Sequence, residues 1–110
     1  MNSARNLKNI EKKLKMLNQI YKAANQIKDQ VNEQVQYRAI LMESTSKDPW
    51  NISNTKLQLL ADHTYNWEDY QVIMKHLWEK LTLKPKEWRR IAKAIHVMDY
   101  LVKNGAPRII

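Results

Sequence analysis

No cysteine occurs among the 110 residues. That absence removes disulfides, thiolate metal sites and cysteine nucleophiles together, and it suits a reducing, cytoplasmic compartment. Gly105 is the only glycine, so a glycine-rich phosphate loop cannot be built. With 3 prolines beside it, the chain has few points at which to turn, whereas hairpins and sandwiches need turn residues every several positions. Long helices joined by short loops are the alternative, and all-α is the expected fold class. No apolar run approaches the roughly 18–20 residues that span a bilayer. Arg5, Lys8 and Lys12 stand where a secretory signal would be apolar. Acids are also scarce: 11 Asp and Glu face 19 Lys and Arg, for a formal charge of +8. Such a surplus points to an anionic partner, either a lipid surface or nucleic acid.

Chemistry-bearing groups are equally sparse. His63, His76 and His96 lack the i, i+4 spacing of a helical metal pair and have no acidic cluster beside them, and no serine has a paired base in view. Neither an enzyme, a metal nor a cofactor is expected.

What the chain does have is periodic hydrophobicity, with 44% hydrophobic residues, enough for one modest core. Residues 4–43 contain no Gly or Pro. Apolar side chains recur there at Leu7, Ile10, Leu14, Leu17, Tyr21, Ala24, Val31 and Val35, with one gap at Lys28, as one long amphipathic helix or two nearly continuous ones would require. A structured loop is expected from Ser44 to Asn54, around Asp48-Pro49-Trp50, with Trp50 covering the end of the core. A second helix follows Asn54, turns Leu57, Leu60 and Ala61 inward and fades near Thr64. Asn66 caps a third, with Asp69 placed three residues on as in a capping box. Its expected stripe is Tyr70, Ile73, Met74, Leu77, Trp78 and Leu81. Pro85 opens a fourth, whose expected inner face is Trp88, Ile91, Ala92, Ile95, Met98 and Val102, ended by a left-handed residue at Asn104-Gly105. The tryptophans at 67, 78 and 88 are read as core or loop-packing residues. The natural division is residues 1–43, an amphipathic segment with the first helix, and 44–110, a helical core.

Two constellations of charge stand out. Residues 80–93 hold Lys80, Lys84, Lys86, Arg89, Arg90 and Lys93 against one acid, Glu87. Around a helix N-terminus such cations would sharpen a phosphate site that backbone N–H groups have half built, while a plain solvated helix face is the alternative. At the N-terminus, Arg5, Lys8, Lys12, Lys13 and Lys15 share a helix with Leu7, Ile10, Leu14 and Leu17. That is the composition of a helix lying in a membrane interface, and equally of a coiled coil or a first core helix.

Five segments in order carry a resemblance: T-S-K-D-P-W from Thr45, L-A-D-H-T-Y-N from Leu60, I-M-K-H-L-W-E-K-L from Ile73, E-W-R-R-I-A-K-A-I from Glu87 and M-D-Y-L-V-K-N-G-A-P-R from Met98. Over roughly residues 42–108 the chain resembles the epsin N-terminal homology (ENTH) domain. The resemblance implies a right-handed helical superhelix of which only the N-terminal helices lie in this chain. It also implies a module that docks on phosphoinositide membranes in clathrin-coated vesicle formation. By the same resemblance Lys80, Lys86 and Arg90 grip the headgroup phosphates. An ungapped match adds Lys28 and puts Met42 where epsins carry an arginine, for which Lys47 or Arg38 would stand in. A shifted match assigns the membrane-interface helix to Leu7, Ile10, Leu14 and Leu17 with Lys8 and Lys12. The implied setting is cytoplasmic and peripheral, on plasma, Golgi or endosomal membranes, with clathrin and adaptor partners engaged by regions outside this chain. A fourth helix short of partners implies a helix-swapped homodimer. The rival reading is a protein-interaction module for a SNARE or coat partner. Nucleic acid is not expected, since neither a helix-turn-helix glycine turn nor a base-stacking platform is present.

Overall fold

The computed structural model describes residues 2–109, with side chains from Ala4 onward. Among the described residues there are helices and no strand: α1 (Asn2–Ser44), α2 (Asn54–His63), α3 (Trp67–Leu81) and α4 (Trp88–Asn104), with single 3-10 turns at Pro85–Glu87 and Pro107–Ile109. The fold is all-α, as the scarcity of turn residues demands. No helix among them is long and apolar enough to cross a membrane.

By their contacts the residues form two units, 1–34 and 35–110. In the first, every described side chain is exposed, the apolar stripe included. The second contains a core. Tyr37, Ile40 and Leu41 of α1, Ile52 of the loop, Leu57, Leu60 and Ala61 of α2, Ile73 and Leu77 of α3, and Ala94, Val97 and Leu101 of α4 are all buried together. Deleting a large side chain here, such as Leu57 or Leu77, leaves a void costing about 2–5 kcal/mol.

Caps delimit these helices as their polar residues dictate. Ser44 Oγ donates to Leu41 O at 2.6 Å in the last turn of α1, and Ser53 Oγ accepts from Lys56 N at 3.3 Å to start α2. Asn66 Oδ1 accepts from Asp69 N at 3.1 Å to start α3. The Asp69 carboxylate meets His63 Nδ1 at 2.8 Å, and the His63 ring stacks on Tyr37 with centroids 4.5 Å apart. Among the described residues the buried Tyr37 hydroxyl has no partner in hydrogen-bond geometry, although Arg38 and Asp69 lie near enough to act on it. Burial, chiefly, raises its pKa above the usual tyrosine value.

Three expectations are corrected. The inner face of α4 is Ala94, Val97 and Leu101; Trp88, Ile95 and Val102 of the expected stripe are exposed, while Ile91 and Met98 are half-buried at its border. The buried row sits one residue earlier, about 100° around the helix, where small Ala94 permits close packing. Trp50, Trp67, Trp78 and Trp88 are 61, 56, 58 and 62% exposed, so none of the four covers or fills the core. Gly105 is not left-handed: its φ of −93° and ψ of −164° are open to any residue. Glycine is required by crowding, because a Cβ would stand 2.6 Å from Leu101 O, 2.8 Å from Ile109 Cδ1 and 2.9 Å from Thr64 Oγ1.

Candidate phosphate-binding site

Proline at residue 85 sets the first turn before α4, and its missing N–H needs no partner there. The 3-10 turn presents Lys86 and Glu87, and the first turn of α4 presents Trp88, Arg89 and Arg90 with no acid among them. Together with Lys47 from the loop after α1, these residues line one surface depression of about 280 Å³. Four cations face a single carboxylate, Glu87, which stands 4.0 Å from Lys47 Nζ. The positive end of the α4 dipole adds to this field.

Cations of α4 hold the loop that carries Lys47. Arg90 Nε donates to Thr45 O at 3.1 Å, Arg89 Nη1 to Lys47 O at 3.3 Å, and Lys93 Nζ to Asp48 O at 3.1 Å and to Ser46 Oγ at 3.0 Å. Lys93 is only 5% exposed, so these bonds satisfy an ammonium that burial would otherwise penalise. Arg89 also lies 5.2 Å over the Trp88 ring. The guanidinium of Arg90 is thus fixed through Nε, and among the described residues no hydrogen bond engages its Nη groups. An Arg held in this way is a rigid fork for phosphate oxygens.

His76 of α3 is half-buried and its Nε2 lies 2.8 Å from Thr45 Oγ1. Burial first, then the charges of Lys80 and Arg90, lower its pKa below the ordinary histidine value, while Glu79 opposes them. Lys80 and Arg90 therefore both act on this one imidazole.

Of the residues named from the sequence, Lys47, Lys86 and Arg90 come together at the depression; Lys80 does not line it, although its charge, like that of Arg90, bears on His76. Lys28 is exposed on α1 within the first unit. Met42 is 68% exposed, and Arg38 lies 5.8 Å over the Tyr37 ring. Neither lines the depression. The loop-holding bonds of Lys93 and the contact of His76 with Thr45 are what sequence reasoning missed. For Lys93 a signal existed, since it falls three and four residues after Arg90 and Arg89 and so shares their helix face. His76 carried none, because its partner Thr45 is distant in sequence. Among the described residues no group of His, Cys, Asp or Glu could hold a metal ion.

In the first unit Leu7, Ile10, Leu14 and Leu17 are exposed, as are Lys8 and Lys12. Lys13, Met16, Leu17 and Ile20 line a second apolar depression of about 230 Å³.

Comparison with known proteins follows the same lines. The ENTH domain family matches residues 34–110. Epsin-2 of Rattus norvegicus is 37% identical over 84 residues, covering 76% of this chain and 14% of that protein. A solved ENTH domain of epsin-2, in complex with phosphatidylinositol 4,5-bisphosphate, superposes with a TM-score of 0.63 at 33% identity, over 66% of this chain and 51% of that one. The human epsinR ENTH domain gives 0.62 at 31% identity, over 66% and 54%. The chain thus spans about one seventh of the rat protein and about half of the solved domains. The family match over residues 34–110, the identity to epsin-2 and the superposition on solved domains agree, and the chain belongs to the ENTH domain family.

Proposed function

We propose that this chain is a non-catalytic, phosphoinositide-dependent membrane-binding adaptor module of clathrin-coated vesicle traffic, serving endocytosis or transport between Golgi and endosomes. The observation that carries this reading is the convergence of Lys47, Lys86 and Arg90 on one depression at the start of α4. The lipid bound to the related epsin-2 domain supports the same choice of ligand class. A phosphorylated inositol ring would take Arg90 as a two-pronged donor and the lysines as point charges.

Residues 1–43 supply a membrane-facing amphipathic segment and the first helix, and 44–110 the ENTH core. Leu7, Ile10, Leu14 and Leu17 enter the interface while Lys8 and Lys12 meet anionic headgroups. Each buried leucine contributes about 1.5–3 kcal/mol, and each cation about 1 kcal/mol near an anionic leaflet. Headgroup selectivity then comes from the depression. The module works peripherally on plasma, Golgi or endosomal membranes and engages clathrin and adaptors through sequence outside these residues. The exposed Trp88, Ile95 and Val102 of α4 suit exchange of helices in a homodimer.

Flotation with vesicles matched in surface charge tests the reading. Vesicles holding phosphatidylinositol 4,5-bisphosphate or 4-phosphate should bind better than phosphatidylserine vesicles of equal charge. Equal binding to all would reject a headgroup site. A second reading, a protein-interaction module for a SNARE or coat helix, is favoured by one observation: Met42, which the ungapped resemblance sets where epsins carry an arginine, is exposed and does not line the depression.

A further inference from the structure

Thr45 joins three helices. Its hydroxyl lies 2.8 Å from His76 Nε2 on α3 and 3.4 Å from Leu41 O on α1, and its carbonyl accepts from Arg90 Nε on α4 at 3.1 Å. With the hydroxyl proton directed to Leu41 O, Nε2 is the donor to Thr45, and Nδ1 is the atom left to gain or lose a proton. The charged groups acting on the imidazole are Glu79 and Lys80 of its own helix and Arg90 of α4. Burial first, and then Lys80 and Arg90 against Glu79, disfavour the protonated ring while the site is empty.

Resting on the phosphate-site reading above, we propose that His76 is a further positioning and charge-supplying residue of that site, neutral when the site is empty and protonated when phosphate groups occupy it. A polyanion placed against Lys80 and Arg90 offsets the two charges that, after burial, disfavour the protonated ring. The proton then taken up at Nδ1 adds a cation behind the ligand. It also leaves the Nε2–H bond to Thr45, and through the Thr45 carbonyl the seat of Arg90, intact. Linkage is reciprocal: if ligand binding favours the proton, the proton favours the ligand, and affinity rises as pH falls. Each unit by which the ligand raises the histidine pKa is worth at most about tenfold in affinity. The ligand opposes this trend, because phosphate monoesters themselves lose charge near pH 6. Only the difference between native protein and a neutral variant isolates His76.

The experiment uses inositol 1,4,5-trisphosphate as the probe. The ring signals of His76 are followed by NMR from about pH 5 to 8 with and without it, against His63 and His96 as internal references. Affinities of native protein and His76→Gln, whose amide can still bond Thr45, are measured at both ends of the range. The titration midpoint of His76 should move up with ligand, and the ratio of native to variant affinity should grow about threefold to tenfold from pH 7.5 to 5.5. A midpoint unmoved in the complex, or identical pH profiles for the two proteins, overturns the role of His76 and leaves the site standing. No binding by either protein at any pH overturns the site, and this inference with it.

Discussion

At Gly105 the side chain that is missing matters more than the backbone angle. The residue ends α4 with its N–H on Leu101 O at 2.7 Å, in a backbone conformation that any amino acid adopts. Yet a Cβ there would press on backbone and on the Thr64 hydroxyl that accepts Ala106 N at 2.9 Å. Gly105→Ala should therefore destabilise the domain by roughly 1–3 kcal/mol, read by chemical denaturation; an unchanged midpoint would refute the crowding. His76 makes a second prediction, with a definite sign. Its folded pKa lies below the ordinary 6.5, so as pH falls through about 6.5 the unfolded chain takes up the proton first and stability declines. Denaturation midpoints from pH 7.5 to 5 should fall less steeply for His76→Gln than for native protein. Residue-scale facts were unevenly legible. Asn66 as a cap could be read because its partner, Asp69 N, lies three residues away. The reason for Gly105 could not, since Thr64 is brought to it only by the packing of α2 against α4.

Among the elements, α4 shows what periodicity conveys and what it omits. Its sequence holds two apolar rows one residue apart, Trp88-Ile91-Ile95-Met98-Val102 and Ala94-Val97-Leu101. The row with the larger side chains looks like the core by hydrophobicity alone. Close approach of α2 and α3 selects the other, because Ala94 leaves room where Ile95 would not. Ala94→Leu should cost about 1–3 kcal/mol by overpacking, and Ile95→Ser less than about 0.5, both by thermal unfolding. A reversed order would return the core to the tryptophan row. The helices themselves, and nearly all their ends, were legible because caps and breakers act locally. The pinning of the Thr45–Asp48 loop by Arg89, Arg90 and Lys93 was not, since carbonyl acceptors leave no mark on side-chain identity. Of the candidate site, the cations of one segment could be gathered by eye, whereas the part played by His76 required the fold.

For the whole molecule, the two charge constellations make separable claims. The exposed apolar row of the first unit should matter to membrane affinity and little to folding. Leu7→Glu with Leu14→Glu, at positions 61 and 55% exposed, should weaken vesicle binding about tenfold or more and leave the unfolding transition in place. Loss of folding instead would make that row a hidden core. The family resemblance carried the ligand class further than any physical reading of charge could, because +8 attracts every polyanion. Geometry then narrowed the claim to side chains near Thr45 and the start of α4. The most direct measurement of that claim is charge reversal at Lys80 and Lys86, the lysines of the proposed site on either side of Pro85 in sequence. In co-sedimentation with vesicles containing phosphatidylinositol 4,5-bisphosphate, Lys80→Glu with Lys86→Glu should abolish binding while circular dichroism keeps its helical signal, and undiminished pelleting of that variant would contradict the account.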